Sequence, residues 1–138
     1  MELNFFMPKF ALKNIEAVKG KQRFDKLVVD GVCLFDQFEE EMKIQYSNEI
    51  ATLYAYMNEV ANLRTLPYEK FHPYDNNDPR GWEFKTKHLR VYCVEQRGGK
   101  IVVLGGQKSK QANDESNFHY YQKLLGQQEA ENKKTKRN

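Results

Sequence analysis

The segment WEFKTKHLRVYC, residues 82 to 93, reads as strand but changes phase partway along. Trp82 and Phe84 put apolar side chains at even positions, whereas Leu89, Val91 and Cys93 put them at odd ones. Side chains alternate between the two faces of a strand, so a straight strand would split this apolar set across both. A two-residue turn at Lys87-His88 removes the conflict. It pairs Thr86 with Leu89, Lys85 with Arg90, Phe84 with Val91, Glu83 with Tyr92 and Trp82 with Cys93, and directly opposed residues share a face. Trp82, Phe84, Leu89, Val91 and Cys93 then form a core face, leaving Glu83, Lys85, Arg90 and Tyr92 on the other. A bulge at 86 to 88 also resets the phase, and neither Lys87 nor His88 is a favoured hairpin-turn residue.

The surrounding segments extend this hairpin into a domain. Phe24 to Val29 is strand-like and ends at Asp30-Gly31, a strong turn signal. Leu34, Phe35, Phe38 and Met42 recur at helical spacing. A second helix, with Ser47 as its expected cap, repeats Ile50, Leu53, Tyr54, Met57, Val60, Ala61 and Leu63 before Pro67. The Pro-, Asn- and Asp-rich stretch 67 to 81 predicts a loop. Ile101 to Leu104 is apolar at every position, as suits a strand covered on both faces, and Arg97-Gly98-Gly99 predicts an antiparallel hairpin between it and RVYCVE. Phe118, Tyr121, Leu124 and Leu125 mark a short closing helix. The expectation is an α+β fold, a small twisted antiparallel sheet with an N-terminal helical hairpin on one face and a short C-terminal helix. Residues 1–23 are an extension of uncertain structure, 24–126 the domain, and 127–138 a basic, solvated tail.

A chain of 138 residues is one domain's worth. Its longest apolar run, Ile101 to Leu104, falls far short of the roughly 18 residues that span a bilayer. The start MELNFFMPKF shows no secretory pattern, so a cytoplasmic location is expected. Cys33 and Cys93 are too few for a disulfide framework, and His72, His88 and His119 lie far apart, so no metal and no small-molecule cofactor is expected.

Charge is unevenly placed. Residues 1–79 carry 9 Lys and Arg against 13 Asp and Glu, and residues 80–138 carry 13 against 6. Four of the latter cations lie in residues 133–138, yet removing that tail still leaves an excess of three. One basic surface offered to a polyanion would produce this bias. Solvated surface lysines would produce part of it too. The pairing of Lys85 with Arg90 sets like charges opposite each other, which calls for compensation by Glu83 or by an anionic ligand. Lys108 and Lys110, just past the last strand, are expected beside Arg90, and Gly105-Gly106 would let backbone approach a phosphate.

The segment LRVYCVEQRGGKIVVLGGQKSKQ, with the preceding strand-then-two-helices order and a closing helix, resembles the RelE/ParE-like toxins of bacterial toxin–antitoxin systems, in particular the HigB branch and its phage-encoded relatives. The likeness covers roughly residues 24 to 125. It implies a ribosome-dependent endoribonuclease (mRNA interferase) that cleaves mRNA on the ribosome, inhibits translation, and is held in check by a cognate antitoxin protein. Arg90 matches the family's Arg in its R-x-Y strand. Lys85 and Lys87 resemble its paired lysines, and Lys108 and Lys110 stand where its loop cations stand. Tyr120 or Tyr121 would be the C-terminal catalytic aromatic, though the intervening QANDESNFH is longer than the family pattern. Residues 1–23 have no counterpart.

Cleavage of RNA by its own 2′-OH needs a base, cations on the developing phosphorane charge, and an acid for the leaving oxygen. Lys85 is the candidate base and Arg90 the charge stabiliser, since a guanidinium fork fits a phosphate. Tyr92 and Tyr121 complete the candidate catalytic set. Lys87, His88, Lys108 and Lys110 form the candidate RNA-binding set, with Tyr92 or His88 able to stack on a base or pass a proton. Two other expectations stand beside this one: a non-catalytic, ParE-like inhibitor of DNA gyrase, and an inactive domain that binds RNA or an antitoxin.

Overall fold

A computed structural model describes residues 7–137, with side chains described as far as Lys133. Residues 1–6, part of the expected N-terminal extension, lie outside the described residues, as does Asn138. The elements run β1 (Phe10–Asn14), β2 (Arg23–Val29), α1 (Leu34–Met42), α2 (Ser47–Ala61), β3 (Phe71–Pro73), β4 (Gly81–Lys85), β5 (Leu89–Gln96), β6 (Gly99–Gln107), a single 3₁₀ turn at Lys108–Lys110, and α3 (Gln111–Arg137). The fold is α+β. Its sheet has six strands in the order β1-β2-β6-β5-β4-β3.

The phase break is resolved by the turn. Trp82 pairs with Cys93, Glu83 with Tyr92, Phe84 with Val91 and Lys85 with Arg90, and Thr86 N–H donates to Leu89 O at 3.0 Å. Phe84, Leu89, Val91 and Cys93 face α1 and α2 in one cluster with Phe24, Phe35, Phe38, Leu53 and Met57, and Trp82 packs at its margin. Each such side chain removed from water contributes on the order of 1.5–3 kcal/mol. Burial pushes the Cys93 thiol up to about 12, so it is held as a packed neutral group.

The hairpin between β5 and β6 forms as expected, with Gln96 opposite Gly99 and Gly98 at φ +79°. A bulge between Tyr92 and Cys93 in the register leaves Val103 without an opposite residue. Cover on both faces accounts for the unbroken apolar run, with Val102 on the α1/α2 side and Ile101 and Val103 on the other, and the bulge brings Leu104 to that second side as well.

Several expectations are corrected. The sheet is mixed, because β2 runs parallel to β6 from Arg23↔Gly99 to Lys26↔Val102. The approach is close enough that a Cβ on Gly99 would lie 1.7 Å from Arg23 O. Two strands add to the expected four: β1, within the uncertain extension, and β3, within the expected loop. Ser47 is the first residue of α2, whose cap position is Tyr46. Leu63 lies beyond that helix at φ +63° and is exposed.

The largest correction concerns the closing helix, which is 27 residues long. Phe118, Tyr121 and Leu125 lay a stripe onto Leu27, Tyr92, Val94, Ile101 and Val103, the second face of the sheet. Polar anchors add to it: Gln122 Nε2 donates to Pro79 O at 2.7 Å and to Asp75 Oδ1 at 3.0 Å. Past Gly126 no apolar stripe remains, but good helix formers and a Glu129–Lys133 pair at 3.7 Å carry the helix through the expected tail. The result is three layers, α1 and α2, the sheet, and α3. Among the described residues no helix is long and apolar enough to cross a membrane.

Phe118 is fully buried, stacked 5.5 Å from Tyr92 and edge-on to Tyr74 at 5.7 Å. Phe118→Ala should lower stability by about 3–5 kcal/mol, read as a shift in the urea midpoint. A change below about 1 kcal/mol would mean that α3 does not close the second core.

Candidate nucleic-acid interface

A turn without glycine needs outside support, and Glu49, in the first turn of α2, supplies it. Its Oε1 accepts hydrogen bonds from the Thr86 hydroxyl and from the His88 amide at 2.8 Å, and its Oε2 lies 2.7 Å from His88 Nδ1. The end of β6 closes onto the same turn through Lys108 N–H, which donates to His88 O at 2.8 Å. The Tyr46 ring packs against the His88 ring, centroids 5.0 Å apart and tilted by 32°. Together Tyr46, Lys87, His88, Gln107, Lys108 and Ser109 line a cleft of about 530 Å³.

Three of the expected RNA-binding residues, Lys87, His88 and Lys108, thus converge on one cleft. Lys87 and Lys108 are exposed, and neither has an ion-pair partner among the described residues. Lys110 stands in the same 3₁₀ turn as Lys108 but outside the cleft lining, with its charge near Asp114.

The expected catalytic residues share one face of the sheet, but that face is largely covered. Arg90 does sit opposite Lys85, but its side chain is 9% exposed and faces inward. Its Nη1 donates to Thr86 O at 2.6 Å and Leu89 O at 2.8 Å, and its Nε lies 4.0 Å from Glu83 Oε2. Glu83, itself buried, meets His72 Nε2 at 2.9 Å through its other oxygen and accepts from Gln111 Nε2 at 3.2 Å. Arg90 is therefore a structural counter-charge that ties the turn to the sheet, and Glu83 supplies the compensation that the facing cations require.

Tyr92 is fully buried between Phe118 and Tyr74. Burial first, then the charges of Glu83 and Glu115, push its phenol up, and its hydroxyl makes no hydrogen bond of good geometry. It can neither stack on a base nor donate a proton at the surface. Tyr121 packs with α3 against the sheet, and ten residues of helix place it on the order of 15 Å along the axis from the start of α3. Lys85 is half-buried on β4 and has no ion-pair partner among the described residues.

The Gly105-Gly106 pair does not form a phosphate loop either. Both residues belong to β6, where Phe38 crowds Gly105 and the Asp114 carboxylate lies against Gly106. Tyr46 and Glu49 are the site residues that sequence reasoning missed. Nothing local at the start of that helix signals their contact with His88, which spans 39 residues of chain for Glu49. Among the described residues no group of His, Cys, Asp or Glu is arranged to hold a metal ion. No known protein family, curated protein or solved structure matches this chain.

Burial raises the Glu49 carboxyl, but hydrogen bonds from Thr86, the His88 amide and the His88 ring outweigh it and hold the group below its ordinary value of 4.5. The unfolded chain therefore takes up the Glu49 proton more readily than the folded one. The stability contributed by this carboxylate is complete above the ordinary value and is lost as pH falls through the lowered folded-state value. Urea melts between about pH 3 and pH 7 should show a shallower acid loss for Glu49→Gln than for the wild type. Parallel pH profiles would exclude the clamp.

Proposed function

We propose that the chain is a toxin-type endoribonuclease that cleaves mRNA in the cytoplasm, on the ribosome, under the control of an antitoxin protein. The observation that carries this reading is the His88 imidazole, oriented by Glu49 through Nδ1 and set among Lys87 and Lys108. The α+β order and the basic end of the sheet agree with the resemblance to RelE-like toxins.

The roles differ from those expected for that family. With Nδ1–H donated to the Glu49 carboxylate, His88 Nε2 is left as the proton acceptor. It takes the proton of a ribose 2′-OH as that oxygen forms a bond to the adjacent phosphorus. The bond from phosphorus to the 5′-oxygen breaks, leaving a 2′,3′-cyclic phosphate and a 5′-hydroxyl end, with the leaving oxygen taking its proton from Lys87, Lys108 or water. The two ammonium groups hold the non-bridging oxygens as negative charge develops on them. Lys85 is retained as a flanking phosphate contact, and Lys110 as another.

The purified protein added to a translating extract should produce mRNA fragments with 5′-hydroxyl ends. His88→Gln should slow their appearance by about 10²- to 10⁴-fold, the usual contribution of a general base. Intact mRNA and continued translation would sink the reading. A ParE-like contact inhibitor would instead block DNA supercoiling by gyrase with no cleavage, and an inactive binding domain would do neither.

A further inference from the structure

We propose that Tyr46 is a stacking platform for one unpaired base, so that the cleft takes single-stranded RNA and rejects duplex. The inference rests on the reading of this cleft as an RNA site and adds the strand state and the residue that reads it. Tyr46 occupies the cap position of α2 at φ −126°, ψ 37°, where a Ser, Thr, Asp or Asn would normally bond the free amides. It makes no such cap bond. An aromatic ring at that position serves the helix poorly.

Part of the ring packs on the core and part faces the cleft. It is half-buried, wedged against the His88 ring and the margin of the α1/α2 core, and it borders the open space directly. A ring immobilised before binding loses little entropy when a base stacks on it. The neighbours suit the rest of a nucleotide. Lys87 and Lys108 supply charge for the flanking phosphates, while Gln107 and Ser109 bring neutral donors and acceptors to the base edge.

Size and strand state follow from the same geometry. A cleft of about 530 Å³ lies in the range that takes one small ligand. In a duplex each base already has both π-faces covered by its neighbours, so an unpaired base alone can offer one to Tyr46. Stacking of this kind is tolerant of base identity, because every base has such a face.

The test separates stacking from charge and from cleavage. Binding is measured by fluorescence anisotropy with a labelled 2′-O-methyl tetranucleotide, which has no attacking hydroxyl, with an abasic tetramer of equal charge, and with a 2′-O-methyl RNA duplex. The wild type and Tyr46→Phe should prefer the tetranucleotide by on the order of tenfold. Tyr46→Leu should bind both alike, and because the preference is a ratio within each variant, partial loss of folded protein does not disturb it. A full preference retained in Tyr46→Leu, duplex bound as tightly as single strand, or no binding of either tetramer overturns the proposal. Base preference without cleavage of unmodified mRNA upholds it while removing the nuclease reading. Cleavage that proceeds with no Tyr46-dependent base preference does the reverse.

Discussion

Glu49 accepts three hydrogen bonds from the turn between β4 and β5, and much of the molecule's arrangement follows from them. Lys87-His88 has no glycine or asparagine to ease a tight reversal. The carboxylate binds the donors that such a turn would otherwise leave to solvent, and it comes from a helix whose apolar residues are already docked on the sheet. The turn is consequently fixed to the α1/α2 layer as well as to its own strands. That fixes where His88 points, and with it the cleft.

The two faces of the sheet divide the work. One packs α1 and α2 with an apolar cluster in which few polar atoms intrude. The other is mixed: beside Tyr92, Val94 and Phe118 lies a chain of polar partners from His72 through Glu83 to Arg90 and Gln111. Buried polar groups hold a structure in one arrangement when every member has a partner, because each lost contact leaves a group that water cannot reach. α3 completes this network through Gln111 and covers it with its stripe, so most of the second face is an interior, with half-buried Lys85 at its margin.

The parts legible beforehand were those in which period and phase carry the information. The register of β4 on β5 follows from requiring Trp82, Phe84, Leu89, Val91 and Cys93 to share a face, and the burial of β6 from its unbroken apolar run. β1 was not legible because four of its five residues are exposed and its pattern is nearly featureless. β3 is three residues long and ends in proline. The parallel contact of β2 with β6 joins distant segments, and nothing local in Phe24 to Val29 signals it. At the site, Lys87, His88 and Lys108 could be placed together by register alone. Register also places Arg90 opposite Lys85, but not its burial, which depends on what covers that face of the sheet and so on a helix far along the chain.

The burial of two cations changes the meaning of the charge count. Arg90 is neutralised within the fold by Glu83, and Lys100, 5% exposed, lies 3.3 Å from Glu95 and against the Trp82 ring. Neither contributes to the field that an approaching polyanion meets. Long-range attraction falls instead to exposed cations, among which Lys87, Lys108 and Lys110 lie at one end of the sheet. The reach of those surface charges contracts as salt is added, whereas the interior pairs are screened much less, so the charge that an approaching molecule meets depends on ionic strength far more than the charge pairing inside the fold.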